Sequence, residues 1–370
     1  MGWFEGFDAD GPYAGVELFG GSDVAAGVFG ALGEMDVIFE GGTFSINFSD
    51  CEHRAEAGYS SCRVAATGVP LPPGALVGVA TPGTEAPPRA IAGAGASAAT
   101  PAAERAALVA LYNATDGANW LRKTNWNTTV PVRSWYGVST NSDGSVTNLY
   151  LSGNNLSGRI PAALGALTNL ETLTLLRNGG LSGEIPLALG ALTNLELLQI
   201  SHSGLSGGIP PALGNLTNLT NLALHGNDLS GEIPATLGNL GNLRGLWLNF
   251  NDLSGSIPPE LGGLTNLGGL GLSSNDLSGS VPPELGGLTN LAHLNLQLND
   301  LSGAIPATFG RLTNLQDLDL VGNKMSGPIS VLGGLTSLQR LNLSGNADIY
   351  TDLNGGRGFW GPIPAGLGNA

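Results

Sequence analysis

Ser201, His202 and His225 are the residue types of a nucleophile and its base. In a hydrolytic triad a hydroxyl attacks, an imidazole takes its proton, and a buried acid orients the imidazole beside an oxyanion hole. No acid occupies the equivalent positions of the chain before Asp319, so hydrolysis is not expected. Two histidines without a third ligand also fall short of a zinc site. Asp228, Asp252, Asp276 and Asp300 recur every 24 residues and would form a column of carboxylates about one strand spacing apart. Hard cations require several convergent oxygens, so this column is expected to be solvated and no metal or other cofactor is assigned. Cys51 and Cys62 are the two cysteines. A disulfide between them is expected if the chain is exported, whereas zinc through Cys51, His53 and Cys62 would be one ligand short.

The elements that position these residues are set by a repeat. Segments such as LTNLALHGNDLSGEIP (219–234) and LAHLNLQLNDLSGAIP (291–306) share one frame. Its anchoring Asn stands at 154, 178, 227, 251, 275, 299, 323 and 346, with Ser203 in its place once. A period of about 24 residues means a stacked solenoid, whose units bury their apolar sides against their neighbours. In the LxLxx stretch the leucines point inward and the intervening residues outward, because side chains alternate along a strand. The Asn amide is placed to satisfy backbone groups where the chain leaves the strand. The Gly of LSG permits a tight turn, and Ile-Pro starts a short extended or helical return. Nine strands at about 4.8 Å spacing give a face on the order of 40 Å long, which suits an extended partner better than a small molecule.

The column between the two strand leucines reads Tyr150, Thr174, Gln199, Ala223, Trp247, Gly271, Asn295, Asp319 and Asn342. The next outward column includes Ser201 and His225, and one position further lie Arg177, His202, Phe250 and Leu298. None of these positions is needed for the core, and aromatic residues and Arg are the types that anchor interfaces. Tyr150, Arg177, His202, His225, Trp247 and Phe250 are therefore the candidate ligand-binding residues, with no catalytic residue among them.

The unit L-x-x-L-x-L-x-x-N-x-L-S-G-x-I-P resembles the plant-type leucine-rich repeat, over about 146–370. Segment 101–145 resembles the cap that precedes such repeats. Trp135, Gly137 and Val138 match its W-x-G-V, but Arg133 and Thr140 stand where that cap usually has cysteines. The cap is more similar to the cysteine-free caps (ALVALYNATDGANW) of repeat proteins from algae and bacteria. The resemblance implies an α/β solenoid, a right-handed superhelix with a parallel concave β-sheet, behind a helical cap. It also implies a recognition role, as in receptor kinases and in inhibitors of cell-wall-degrading enzymes.

The cap sequence PAAERAALVALYNATDG places Ala106, Leu108, Leu111 and Tyr112 within helical reach of one another, with Pro101 suited to a first turn. Trp120, Trp126 and Trp135 are expected to cover the end of the solenoid. Upstream, 67–100 is a Pro/Ala/Gly-rich linker, and 1–66 alternates short apolar runs with Gly as in a small β-rich unit, with a strand at Thr43–Phe48.

The net charge of −15 over 370 residues is concentrated at the start, where residues 1–66 hold 11 acids against Arg54 and Arg63. Nucleic acid is excluded as a partner, because phosphates require a Lys/Arg surface. No run of about 20 apolar residues is present, so no membrane insertion is expected. The start lacks the basic and apolar regions of a secretory signal, and the end stops where other copies continue into LTNL, so a longer parent chain is expected. The insertion between Asn346 and Phe359 interrupts the last repeat, and such loops often reach over a binding face. The expected role is a non-catalytic module, extracellular or on the cell surface, binding a protein, peptide or glycan on the concave face. The alternative is the sensing region of a larger receptor kinase or GTPase.

Overall fold

A computed structural model describes residues 100–346, residues 359, 360, 362 and 364, and the backbone of five short strands between 35 and 70. Cys51, Cys62 and the insertion 347–358 lie outside the described residues. The chain divides into two compact units, Met1–Pro87 and Pro88–Ala370. In the first, strands Met35–Glu40 and Thr43–Phe48 pair antiparallel, and Ala66–Pro70 pairs antiparallel with the second of them. His53–Arg54 pairs with Tyr59–Ser60.

The second unit is the solenoid. Nine parallel strands, from Val146–Tyr150 to Arg340–Asn342, form one sheet in chain order. Val138–Thr140 pairs antiparallel with the first of them and closes that edge. The inward leucines of every repeat stack into one continuous core: in a single turn Leu240, Leu243, Leu246, Leu248, Leu253 and Ile257 are all buried. Each such side chain contributes roughly 1.5–3 kcal/mol by leaving water. The return path is a short 3-10 helix preceded by proline, as at Pro258 before Pro259–Gly263, where the fixed φ of the ring suits the turn into it.

The Asn ladder performs its role repeatedly. Asn251 Nδ2 donates to the carbonyls of Leu224 (3.1 Å) and Leu248 (3.0 Å), and its Oδ1 accepts from the Leu229 amide at 3.1 Å. Asn275, Asn299 and Asn323 repeat this pattern. Ser203 is the exception, and the extra residue after Asn178 accounts for it. That insertion lets the Leu181 amide bond to the Asn178 carbonyl at 2.9 Å, so no amide is left for a ladder side chain to serve. The Ser203 hydroxyl makes only 3.4 Å contacts to the Leu175 and Ser201 carbonyls.

The LSG stretch is more than a turn. Its residues form a second parallel ladder of six strands, from Ser206–Gly207 to Lys324–Met325, preceded by the pair Ser157–Arg159 and Gly180–Ser182. The glycine at or next to the end of most of these strands has positive φ, as at Gly255 (79°) and Gly279 (81°). A second line of asparagines crosses the solenoid in the LTNL stretches, where Asn218, Asn242 and Asn266 donate to the carbonyls of Thr193, Thr217 and Gly241.

The cap is the helix Ala102–Ala114, whose inward side is Glu104, Ala107, Leu108 and Leu111. Of the residues within helical reach of one another, Leu108 and Leu111 are buried and Ala106 is exposed, with Ala107 buried beside it. Trp120, Trp126 and Trp135 are buried with their rings in contact, at centroid distances of 4.8 and 5.0 Å. Their indole N–H groups are satisfied, Trp120 by the Thr115 carbonyl and Trp126 by the Tyr136 carbonyl, each at 2.8 Å. These rings close the core, as a solenoid end requires.

Candidate binding surface

The register places Tyr150, Thr174, Gln199, Ala223, Trp247, Gly271, Asn295, Asp319 and Asn342 directly opposite one another on successive strands. Arg177, His202, His225 and the pair Trp247 and Phe250 thus occupy four consecutive turns. Tyr150 stands four strands from Trp247, about 20 Å away along the sheet. Two expectations are corrected here. Ser201 and Ser273 are buried rather than outward surface, as are Thr174 and Ala223, and at Ser201 the His225 imidazole is the neighbour, 3.1 Å away.

His202 and His225 meet edge to face with ring centroids 4.9 Å apart. The Ser201 hydroxyl lies 3.1 Å from His225 Nδ1. Burial, then His202, then Arg177 lower the pKa of His225 to about 4. Burial and Arg177 lower that of His202 as well. An imidazole with so low an affinity for protons is a poor base near neutral pH, and Ser201 is 0% exposed. The cluster is therefore a neutral, polar part of the surface. Further along the sheet, His293 Nδ1 lies 2.6 Å from Asp317 Oδ2, and Arg340 joins the same carboxylate at 3.6 Å. Burial raises the pKa of Asp319 on the adjacent strand position. This charged corner was not among the sequence candidates, since its members are spread over three repeats.

The column before the ladder Asn has an unusual backbone. Gly153, Arg177, His202, Gly226, Phe250, Ser274, Leu298, Gly322 and Gly345 all have positive φ, between 50° and 67°. Glycine occupies this left-handed conformation freely, but any other residue pays a steric cost. Phe250 and Leu298 nevertheless sit there with their side chains 41% and 53% exposed.

Trp247 has a floor of glycines. A Cβ added at Gly269 would stand 2.4 Å from Cη2 of the indole, one at Gly271 2.8 Å from Cε3, and one at Gly245 2.7 Å from Nε1. These residues share the outward side of adjacent strands, so the ring lies flat on the sheet. Gly271 stood among the sequence candidates only as a gap; the missing side chain is what seats the indole.

Asp228, Asp252, Asp276 and Asp300 are exposed and begin successive strands of the second ladder. Asp300 pairs with Lys324 at 2.7 Å. Among the described residues no three His, Cys, Asp or Glu side chains converge as a metal site would need.

Models of the leucine-rich repeat family match residues 145–167, 194–216, 218–240, 242–264 and 289–347. The ectodomain of the Arabidopsis thaliana membrane receptor kinase GASSHO1/SCHENGEN3, solved in complex with CASPARIAN STRIP INTEGRITY FACTOR 2, is 36% identical (TM-score 0.64), covering 71% of this chain and 31% of that one. The plant peptide hormone receptor RGFR1 in complex with RGF2 is 40% identical with a TM-score of 0.54, over 55% of this chain and 33% of that one. A plant ice-binding protein is 30% identical with a TM-score of 0.58, over 66% of this chain and 78% of that one. The chain belongs to the leucine-rich repeat family, with repeats of the plant type. It spans about a third of the length of the receptor ectodomains it matches.

Among the described residues no helix is long and apolar enough to cross a membrane.

Proposed function

We propose that the solenoid is a non-catalytic recognition module that binds an extended protein, peptide or glycan on its concave face, outside the cell or on its surface. The observation that carries this reading is the left-handed column. Glycine fills it in four of nine turns, whereas Phe250 and Leu298 accept backbone strain there and leave their apolar side chains largely in water. Strained backbone positions cluster at functional sites, and partly exposed aromatic residues are suited to anchoring a partner. Arg177, His202, His225 and Trp247 on the intervening turns extend the same surface, with Tyr150 at its cap end. The receptors RGFR1 and GASSHO1/SCHENGEN3, both solved as complexes, support a ligand-binding role. They equally suit the alternative in which this segment is the sensing part of a larger kinase or GTPase. The two differ in what is attached, not in which surface binds.

The test is a display selection of peptides, secreted proteins and glycans against the intact chain and its Phe250→Gly, Leu298→Gly double variant. Ligands that lose affinity for the double variant, while its melting temperature is held or raised, support the proposal. Ligands indifferent to both substitutions refute it.

A second reading has its own observation. Thr168, Thr193, Thr217, Thr265, Thr289 and Thr313 are exposed at equivalent positions of the turns, interrupted once by Gly241, beside the second asparagine line. Two runs of three hydroxyls, each about one strand spacing apart, are suited to ordering water, and one relative is a plant ice-binding protein. Thermal hysteresis measured on the intact chain decides it: a freezing gap that shrinks in Thr217→Val, Thr265→Val supports it, and no gap rejects it.

A further inference from the structure

We infer that Trp247, with Asn221 and Asn249 at its two ends, is a stacking platform for an uncharged sugar ring of a glycan, resting on the concave-face reading given above. The indole lies flat because Gly245, Gly269 and Gly271 offer no side chain beneath it, and the residue is half-buried, keeping part of its surface accessible. The electron-rich side of an indole attracts the weakly positive edges of C–H bonds. A pyranose ring presents just such a patch of C–H bonds on one side and hydroxyls around its rim.

Amides stand where those hydroxyls would fall. The point above Gly271 that is 2.8 Å from the indole Cε3 is 2.6 Å from both Oδ1 and Nδ2 of Asn249. The Asn249 oxygen is held by the Ser273 amide at 3.0 Å, which leaves its NH2 group oriented as a donor. Asn295, directly opposite Gly271, is oriented by a bond within its own turn, its oxygen accepting from the Gln297 amide at 3.1 Å. At the other end, the point above Gly245 lies 2.7 Å from the indole Nε1 and 2.8 Å from Asn221 Nδ2. Asn221 Oδ1 is buried and has no hydrogen-bond partner. The Asn221 NH2 group, 2.8 Å from that point, is the donor that a ligand hydroxyl would meet at this end.

Charge narrows the ligand class. From the strand Asn221–Ala223 to the strand Gly269–Gly271, and in the outward residues that follow each strand up to Ser274, there is no Asp, Glu, Lys or Arg. His225 lies within this stretch and is kept neutral by its lowered pKa. Arg244 precedes its strand, at the sheet edge. A charged ligand segment would be desolvated here without a counter-charge, which is costly. A neutral ligand with one flat apolar side and a polar rim meets no such penalty.

The experiment is a titration of the intact chain with cellohexaose, xylohexaose and laminarihexaose, read by saturation-transfer NMR, beside the peptide selection described above. Trp247→Ala removes the platform, and Gly269→Val keeps the tryptophan but lifts it from its floor. The expected result is binding of at least one oligosaccharide that weakens about tenfold or more in both variants. Circular dichroism melts confirm that each variant is folded. Oligosaccharide binding indifferent to Trp247, or no binding of any of the three at millimolar concentration, overturns the inference. Peptides whose binding depends on Trp247 while no sugar binds would overturn the glycan assignment and leave the concave-face proposal standing. If neither peptide nor sugar binds, both fall.

Discussion

The Glu104 carboxylate accepts a 2.7 Å hydrogen bond from the backbone amide of Val146, joining the cap helix to the first strand of the concave sheet. Both residues are buried. Val146 begins the sheet that carries every candidate ligand-binding residue, so this contact ties the surface to its end closure. Glu104→Ala leaves that amide without a partner inside the protein. A loss of roughly 1–3 kcal/mol is expected, read as a lower urea midpoint, with hydrogen exchange accelerated first in the cap and first turn.

The ladder predicts unequal costs along the array. Asn251→Ala leaves the Leu229 amide without its partner and removes one of the two ladder donors on each of the Leu224 and Leu248 carbonyls, which Asn227 and Asn275 also serve. Ser203→Ala removes only two contacts of 3.4 Å, at the margin of a hydrogen bond. The Asn251 variant is therefore expected to lose several-fold more stability than the Ser203 variant, by roughly 2–3 kcal/mol against less than about 1. Denaturant melts of the two, measured together, check the ratio. Equal losses would mean that the ladder bonds do not hold the turns.

Much of this architecture was legible in the residues themselves. The Asn period set nine turns, and the positions between the strand leucines gave the column that runs from Tyr150 to Asn342 in correct register. The second ladder was not legible, because Leu-Ser-Gly is too short to show alternation and its glycine reads as a turn. Ala106 and Ala107 are chemically alike, so composition alone left the helix phase one residue uncertain. The seat of Trp247 was hidden for a different reason: glycine enters a pattern only as the absence of a side chain. The left-handed column did leave a signal, since Gly153, Gly226, Gly322 and Gly345 recur at one position. Reading it requires asking what the other five residues endure there.

That strain makes a prediction of opposite sign to most substitutions. A non-glycine residue in the left-handed region costs on the order of 1–2 kcal/mol, while glycine loses about 0.5–1 kcal/mol more chain entropy on folding. Neither Phe250 nor Leu298 is buried enough for its removal to cost much core energy. Phe250→Gly and Leu298→Gly are each expected to leave the melting temperature unchanged or raise it. A marked drop in either would show that the side chain serves the fold, and would withdraw the principal support for its role in recognition.

The histidine pair gives the array a pH dependence whose direction follows from linkage. The pKa of His225 is about 4 in the folded chain and 6.5 in a free imidazole. Between those values the unfolded chain binds the proton that the folded chain refuses, so stability falls as pH drops from about 6.5 to about 4 and is constant above. Complete protonation of His225 corresponds to a loss of roughly 3 kcal/mol. His202, whose pKa is also lowered by burial and Arg177, adds in the same direction. Asp319, whose pKa burial raises, opposes it, because its folded form takes up a proton more readily. Melts of the wild type and His225→Asn at pH 7 and pH 4.5 isolate the imidazole, since the carboxylates titrate alike in both. The variant is expected to lose less stability on acidification, and hydrogen exchange should place the difference in the turns of Ser201 and His225. Equal losses in the two proteins would mean that the ring is not held neutral by its surroundings.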